Sequence, residues 1–283
     1  MFGGLDATAA AVARKLRRVM LNLMPQSGYR GKMLIANPRG GYSFIKGIAP
    51  YSGGVVAADG FEIVHACFRQ PVPLKQGFDR VTAHLGEITR PMQALCGMEL
   101  RSPRPFSFQG FNDFNAGYVG VLKSWDVFLD GVNPIARTNV APEIGAPAEP
   151  SLYGFSYTVP SQSTGAKTFV VAGGGELPEG SLDPHDVVRR GETSNDALRA
   201  KTKFVMGLMT GRVKELGVTW DLATVTEIYT VHSICSFLAD EIVKPMAGGA
   251  LHGMLWHYSR PPIVSIEYEM DLRGVRRELV LEV

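Results

Sequence analysis

The chain has 283 residues, of which 45% are hydrophobic and 20% charged, and 29 Lys+Arg stand against 27 Asp+Glu for a formal charge of +2. This composition is globular and excludes a disordered chain; the length fits one large domain or two modules of ordinary size. There is no basic excess and no apolar run approaching 18 residues, so neither a nucleic-acid partner nor a membrane span is expected.

The cysteines, Cys67, Cys96 and Cys235, are odd in number and far apart. They form no CxxC pair, which argues against a disulfide framework and a zinc knuckle, and makes a reduced, cytoplasmic setting the default. Near the N-terminus Asp6 comes early and the basic group Arg14, Lys15, Arg17 and Arg18 follows the apolar residues, the reverse of a signal peptide.

Leu5, Ala9, Val12, Leu16, Val19, Met20 and Leu23 recur at helical spacing and predict an amphipathic helix over about 6–23. Residues 26–50, rich in glycine, read as one or two strands with turns. Strand-like runs at 54–57 and 61–67 flank Asp59-Gly60, a two-residue hairpin signal. Phe78, Val81, Leu85, Ile88, Met92 and Leu95 predict a helix, Met98 to Phe108 a strand, and Phe111 to Trp125 a second helix, with Asn112 and Asn115 as its capping residues. Strands follow at 136–141 and 152–159 around a loop at 144–150. The order is ββαβαββ.

A similar order then repeats. A strand at 168–172 leads into the turn Gly173-Gly174-Gly175, a polar loop covers 178–195, and a long helix runs over 196–216 to Gly217, placed as a C-terminal cap. Strand 224–231, a helix over 233–245 and strands 263–269 and 278–283 complete the pattern, the last two joined by a turn at Arg273-Gly274. Phe61 and Phe169 lie 108 residues apart, Gly97 and Gly217 lie 120 apart. A drifting offset indicates a divergent duplication with loop insertions. The expected fold class is α+β: two tandem modules, 50–159 and 160–283, each a mixed sheet covered on one face by two helices, after an extension at 1–49.

Several residue groups carry a family resemblance. Pro50-Tyr51-Ser52 precedes the Asp59-Gly60 turn, Phe111-Asn112-Asp113-Phe114-Asn115 opens a helix, and Asn133-Pro134-Ile135-Ala136-Arg137-Thr138-Asn139-Val140 forms a strand. Over about 50–283 these resemble the Rid (YjgF) family of enamine and imine deaminases, whose members form trimeric barrels with sites in the clefts between modules. The tandem form resembles the 2-aminomuconate deaminases of aromatic-ring degradation. The resemblance implies that Arg137 binds a substrate carboxylate, that Gly173 and Gly174 line the pocket, and that Glu278 positions the attacking water. The position aligned with Arg137 in the second half is Ile263, and the first half offers Gly154 or a neighbour in place of Glu278. A planar guanidinium suits the first role, since it grips a carboxylate through two parallel hydrogen bonds.

Other candidates read as structural. His65 reads as a satisfied core or rim histidine, Cys67 as inert, and Arg69 and Arg199 as solvated. His252 and His257 lack metal-ligand spacing, and GxSxG and HExxH are absent. The triple glycine could serve only to permit positive φ. The expectation is a hydrolytic deaminase of a small enamine or imine acid, without metal or cofactor, acting on a small-molecule carboxylate and assembling as a trimer or hexamer. A chorismatase-like hydrolase releasing pyruvate and a non-catalytic carboxylate binder are the alternatives.

Overall fold

In the computed structural model residues 34–282 are described, so the helix expected over 6–23 lies outside the described residues. The elements in order are β1 (Ile35–Asn37), β2 (Tyr42–Ile45), β3 (Gly54–Ala57), β4 (Phe61–Pro73), α1 (Leu74–Glu87), β5 (Leu95–Arg101), α2 (Phe108–Ser124), β6 (Ala136–Pro142), β7 (Ser151–Pro160), β8 (Phe169–Gly175), α3 (Asn195–Glu215), β9 (Val225–Tyr229), β10 (Leu255–His257), β11 (Ser259–Arg260), β12 (Glu269–Gly274) and β13 (Glu278–Leu281). A short helical stretch, Leu238–Val243 continued by Lys244–Met246, follows β9.

The strands form two sheets, one ordered β1-β2-β3-β8-β12-β9-β10 and the other β11-β6-β5-β7-β4-β13. Helices α1 and α2 cover the six-stranded sheet, with Val81, Leu85, Tyr118 and Leu122 packed on Val64, Met98, Leu152 and Phe155. Helix α3 and the 238–246 stretch cover the seven-stranded sheet, setting Val205, Met209, Val213 and Ile242 on Phe169, Val171, Ile228 and Met270. A third apolar cluster takes Phe44, Val55 and Ala172 from one sheet and Ile63, Cys96 and Ala136 from the other, and so joins them. Each such fully buried large side chain contributes about 1.5–3 kcal/mol. The result is a mixed α+β unit.

The two sheets share a four-strand arrangement. In one, β4 pairs antiparallel with β7, β7 antiparallel with β5, and β5 parallel with β6. In the other, β8 pairs antiparallel with β12, β12 antiparallel with β9, and β9 parallel with β10. The halves of the chain nonetheless interlace. Strand β3 lies beside β8, and β13 adds parallel to β4 with Glu278 opposite His65.

Several local expectations change. Asp59-Gly60 does turn the chain, with Gly60 at φ +81°, but β3 and β4 belong to different sheets. Both long edges of β3 are taken by β2 and β8, so the turn hands the chain across the sandwich instead of closing a hairpin. The cap of α2 is Ser107, whose hydroxyl accepts from the Gly110 N–H at 3.0 Å; Asn112 and Asn115 lie inside the helix. Residues Met92 and Leu95 fall past α1, which ends at Glu87. Gly173, Gly174 and Gly175 are not a turn but the end of β8, Gly174 opposite Met270 and Gly175 opposite Glu269. Residues 263–268 are not a strand, and Arg273-Gly274 ends β12 rather than turning.

Candidate active site

One open cleft, about 720 Å³ including its mouth, lies where the end of β8 and the start of β12 approach β6. Arg137, Gly173 and Gly174 all line it, so three of the four expected site residues come together. Tyr51, Glu179, Arg212 and Glu269 complete its ionisable wall. An apolar wall is supplied by Phe111, Ile263 and Ile266, which pack with Val187, Leu177 and Leu182. Backbone bonds fix two of these segments. The Ser52 N–H donates to Ile135 O at 2.8 Å, bringing Tyr51 beside β6. The Phe106 N–H donates to Pro262 O at 2.8 Å, holding the 262–266 segment against the start of α2.

Arg137 is 3% exposed. Its guanidinium carbon lies 4.8 Å from the ring centres of Tyr51 and Tyr118 and 5.5 Å from that of Phe111. Aromatic faces attract a cation and hold its plane in place. Its Nη1 has no hydrogen-bond partner among the described residues. Burial lowers the guanidinium's pKa, although Tyr118, Tyr51 and Glu269 work the other way. A buried cation with an unmatched donor in an open cleft is a seat for an anion.

The glycines serve close approach. None of the three has positive φ. A Cβ on Gly173 would collide with Oε1 of Glu269, and one on Gly174 would lie 2.7 Å from Leu208 Cδ2 and 3.2 Å from Arg212 Nη1. Gly173 therefore lets the Glu269 carboxyl lie directly on the β8 backbone. Beyond the glycines, Glu176 is fully buried and accepts from Lys201 Nζ at 2.9 Å, the Glu267 N–H at 2.6 Å and the Tyr268 N–H at 3.0 Å. These bonds tie the end of β8 to the approach of β12 and so hold Glu269 in register.

Glu269 is 5% exposed. Burial, with help from Glu176, pushes its pKa up to about 8 against the pull of Arg137, Arg212 and Arg101. At neutral pH it holds a proton that it can give and take back, which is what general acid–base catalysis needs. Arg212, on α3, donates from Nη1 to Ala172 O at 2.7 Å and from Nε to Glu179 Oε1 at 2.6 Å.

Glu278 does not line this cleft. Strand β13 attaches to β4, which carries Glu278 into a separate ion network. There it meets His65 Nδ1 at 2.5 Å and Arg273 Nε at 2.8 Å. His65 Nε2 meets Glu99 at 2.8 Å, and Arg273 Nη1 donates to Glu227 at 2.8 Å. Burial opposes a charge on His65, but Glu99 and Glu278 overcome it and raise its pKa to about 9. His65 is thus a satisfied, cationic core residue. The buried carboxyl group of the cleft, Glu269, comes from the preceding strand. The position aligned with Arg137 also differs: Ile263 lies on no strand and lines the same cleft, and the strand that answers to β6 in the other sheet is β10.

Sequence reasoning missed Glu269 and Arg212, though each left a trace. Along β12 and the residue before it, the charged Glu269, Asp271 and Arg273 alternate with Tyr268, Met270 and Leu272, and all six are buried. The charged side reads as solvent-facing but faces the other sheet. In α3, Lys201 and Arg212 interrupt the buried stripe of Leu198, Val205 and Met209 at helical spacing. No group of three or more metal-ligating side chains occurs among the described residues. Nor does any of their helices have the length and apolarity to cross a membrane.

Comparison with known proteins gives a consistent picture. Residues 34–279 match the family model described as 2-aminomuconate deaminase CnbZ. The chain is 45% identical over 244 residues to a 2-amino-5-chloromuconate deaminase of Comamonas testosteroni, covering 86% of this chain and 96% of that one. Overlaps with solved structures are looser. A chorismatase aligns over 78% of this chain and 77% of its own at 8% identity and a TM-score of 0.40. The YjgF gene product of E. coli aligns over 41% of this chain and 84% of its own at 15% identity and a TM-score of 0.25.

Proposed function

This chain belongs to the 2-aminomuconate deaminase CnbZ family, and from that membership and the cleft we propose that it hydrolyses a 2-aminomuconate-type enamine acid with release of ammonia. The observation that carries this reading is the buried Arg137 guanidinium, with an unmatched donor, set in the same cleft as a carboxyl group that is protonated at neutral pH.

The substrate carboxylate next to the amino-bearing carbon docks on Arg137, whose guanidinium plane is held by the rings of Tyr51, Tyr118 and Phe111. Glu269 gives its proton to the enamine carbon, and the double bond shifts to form an iminium. The Glu269 carboxylate then takes a proton from water as the water oxygen bonds to the iminium carbon. The protonated Glu269 then gives its proton to the amino group of the resulting carbinolamine and takes back the hydroxyl proton as the C–N bond breaks, so that ammonia leaves and a 2-oxo acid forms. One water is consumed and one ammonia released. Iminium ions are already electrophilic, so the protein acts mainly by orientation and by timing the proton. In this reading Arg137, Gly173 and Gly174 keep their expected roles, and the role expected of Glu278 passes to Glu269.

The matching strand order of the two sheets supports two tandem Rid-like modules as the origin of the fold. The half-exposed Leu255, Trp256 and Tyr258 on and beside edge strand β10 support an assembly of several chains, three in this reading, and the free Cys67, Cys96 and Cys235 support a reducing, cytoplasmic setting. The test of function is ammonia release from 2-aminomuconate. The wild type should release it and Arg137→Ala should not. No release, with the two proteins equally inactive, would end the reading.

A further inference from the structure

Helix α3 grips the glycine end of β8 at two points. Lys201 and Arg212 lie about three helical turns apart and so share one side of the helix. Arg212 Nη1 donates to Ala172 O at 2.7 Å, ahead of the three glycines, and Lys201 Nζ donates to Glu176 Oε1 at 2.9 Å, just beyond them. Both side chains of the second contact are fully buried. Apolar side chains of similar volume often hold such a place as well as an ion pair, so stability alone does not account for Lys201 and Glu176.

Their position does. The Glu176 carboxylate also accepts from the N–H groups of Glu267 and Tyr268, the two residues before Glu269. Lys201 and both N–H groups are donors, so the site fits Glu176 as an ionised carboxylate. Burial raises its pKa, and Lys201 draws it back down. Neither Glu176 nor Lys201 lines the cleft. We propose that Lys201 and Glu176 are positioning residues of the reaction: the pair fixes a negative charge beside Glu269, and that charge keeps the Glu269 carboxyl in the acid form with which the reaction starts. This rests on the deaminase reading for the role of Glu269 and extends it to two residues outside the cleft.

Glu269 faces Arg137 from β6, Arg101 from β5, Arg212 from α3, Glu179 from the segment after β8 and Tyr51 from the segment before β3. The three arginines favour its ionised form. Among the surrounding charges Glu176 acts on it most strongly, and in the opposite sense. Without the charge of Glu176 the arginines prevail, and Glu269 gives up its proton at a lower pH.

The test is the pH dependence of kcat/KM for ammonia release from 2-aminomuconate. It should fall as pH rises through about 8, where Glu269 ionises in the free enzyme. Lys201→Met takes the counter-charge from a buried carboxylate, which then binds a proton; Glu176→Gln removes the charge outright. Each should move the basic limb down by about one pH unit or more. Each also leaves a buried partner unpaired, so the double variant Glu176→Gln/Lys201→Met, which strands no charge, is measured beside them and should show the same shift. A merely structural pair would lower kcat or stability and leave the limb in place. The same proton is read without substrate by chemical denaturation. The stability advantage of Glu269→Gln should grow up to about pH 8 in the wild-type background and stop growing about one unit lower in the double variant. Limbs and stability curves that do not move in the folded variants overturn the proposal and leave the deaminase reading standing. If the wild type releases no ammonia, the deaminase reading falls and takes the catalytic role of the pair with it.

Discussion

Replacing Glu269 by Gln should make the protein more stable, by an amount that depends on pH. The ordinary glutamate value of 4.5 applies to the unfolded chain, and burial holds the folded value at about 8. Between these limits the folded state keeps a proton that the unfolded state has lost. Unfolding therefore releases a proton, and stability falls as pH rises through this window. The two values bracket about 3.5 pH units, so the full loss is about 5 kcal/mol at 1.36 kcal/mol per unit. Below about pH 4.5 both states are protonated and the loss vanishes; above about pH 8 it is complete. Glutamine keeps the shape and cannot ionise, so Glu269→Gln should escape the loss. Chemical denaturation of both proteins from pH 5 to 8.5 measures this. Every other titrating group is shared, so the difference between the two curves isolates Glu269. The variant's advantage should grow by about 1 kcal/mol per pH unit across the range. A gap that stays flat with pH would mean that Glu269 ionises in the folded cleft as it does in water, and the proton assigned to it would be gone.

Three further outcomes follow from the same geometry. Arg137→Met should lower kcat/KM for ammonia release by about a hundredfold or more, and Arg137→Lys should recover only part of it, because an ammonium cannot grip a carboxylate bidentately. Gly173→Ala should cost about 1–3 kcal/mol in thermal or chemical denaturation and also lower kcat, because the new methyl meets the Glu269 carboxyl. Glu278→Gln should be less stable than the wild type by about 1–3 kcal/mol near pH 6 while it still releases ammonia. His65 is raised from 6.5 to about 9 on folding, so its pairing is fully stabilising below pH 6.5 and is lost as pH rises through 9. The stability gap of Glu278→Gln should accordingly narrow across that range.

Much of the fold was readable because its helices and strands bury one apolar side each. The stripes of α1, α2 and α3 follow helical periodicity and pack where that periodicity places them. Arg137 was readable because it is the one charged residue of its strand and sits inside a recognisable motif. What escaped was anything set by pairing across long sequence distances. Asp59-Gly60 has the local chemistry of a hairpin turn, yet β8, more than 100 residues later, takes the edge of β3 that β4 would have used. The last strands show the same effect. Glu269 and Glu278 both read as acids near a closing turn, and only the sheets decide that β12 enters the cleft while β13 crosses to β4. The charged side of β12 is hidden from sequence for another reason: alternation shows that one side is polar, but a partner sheet can bury that side as completely as the apolar one.

Glu269 and not Glu278 moves the proton in this mechanism, and kcat for ammonia release from 2-aminomuconate by Glu269→Gln and Glu278→Gln, measured side by side near neutral pH, tests it directly. Glu269→Gln should lose about a hundredfold or more while still binding muconate, and Glu278→Gln should stay within a fewfold of the wild type. An active Glu269→Gln beside an inactive, folded Glu278→Gln would contradict it.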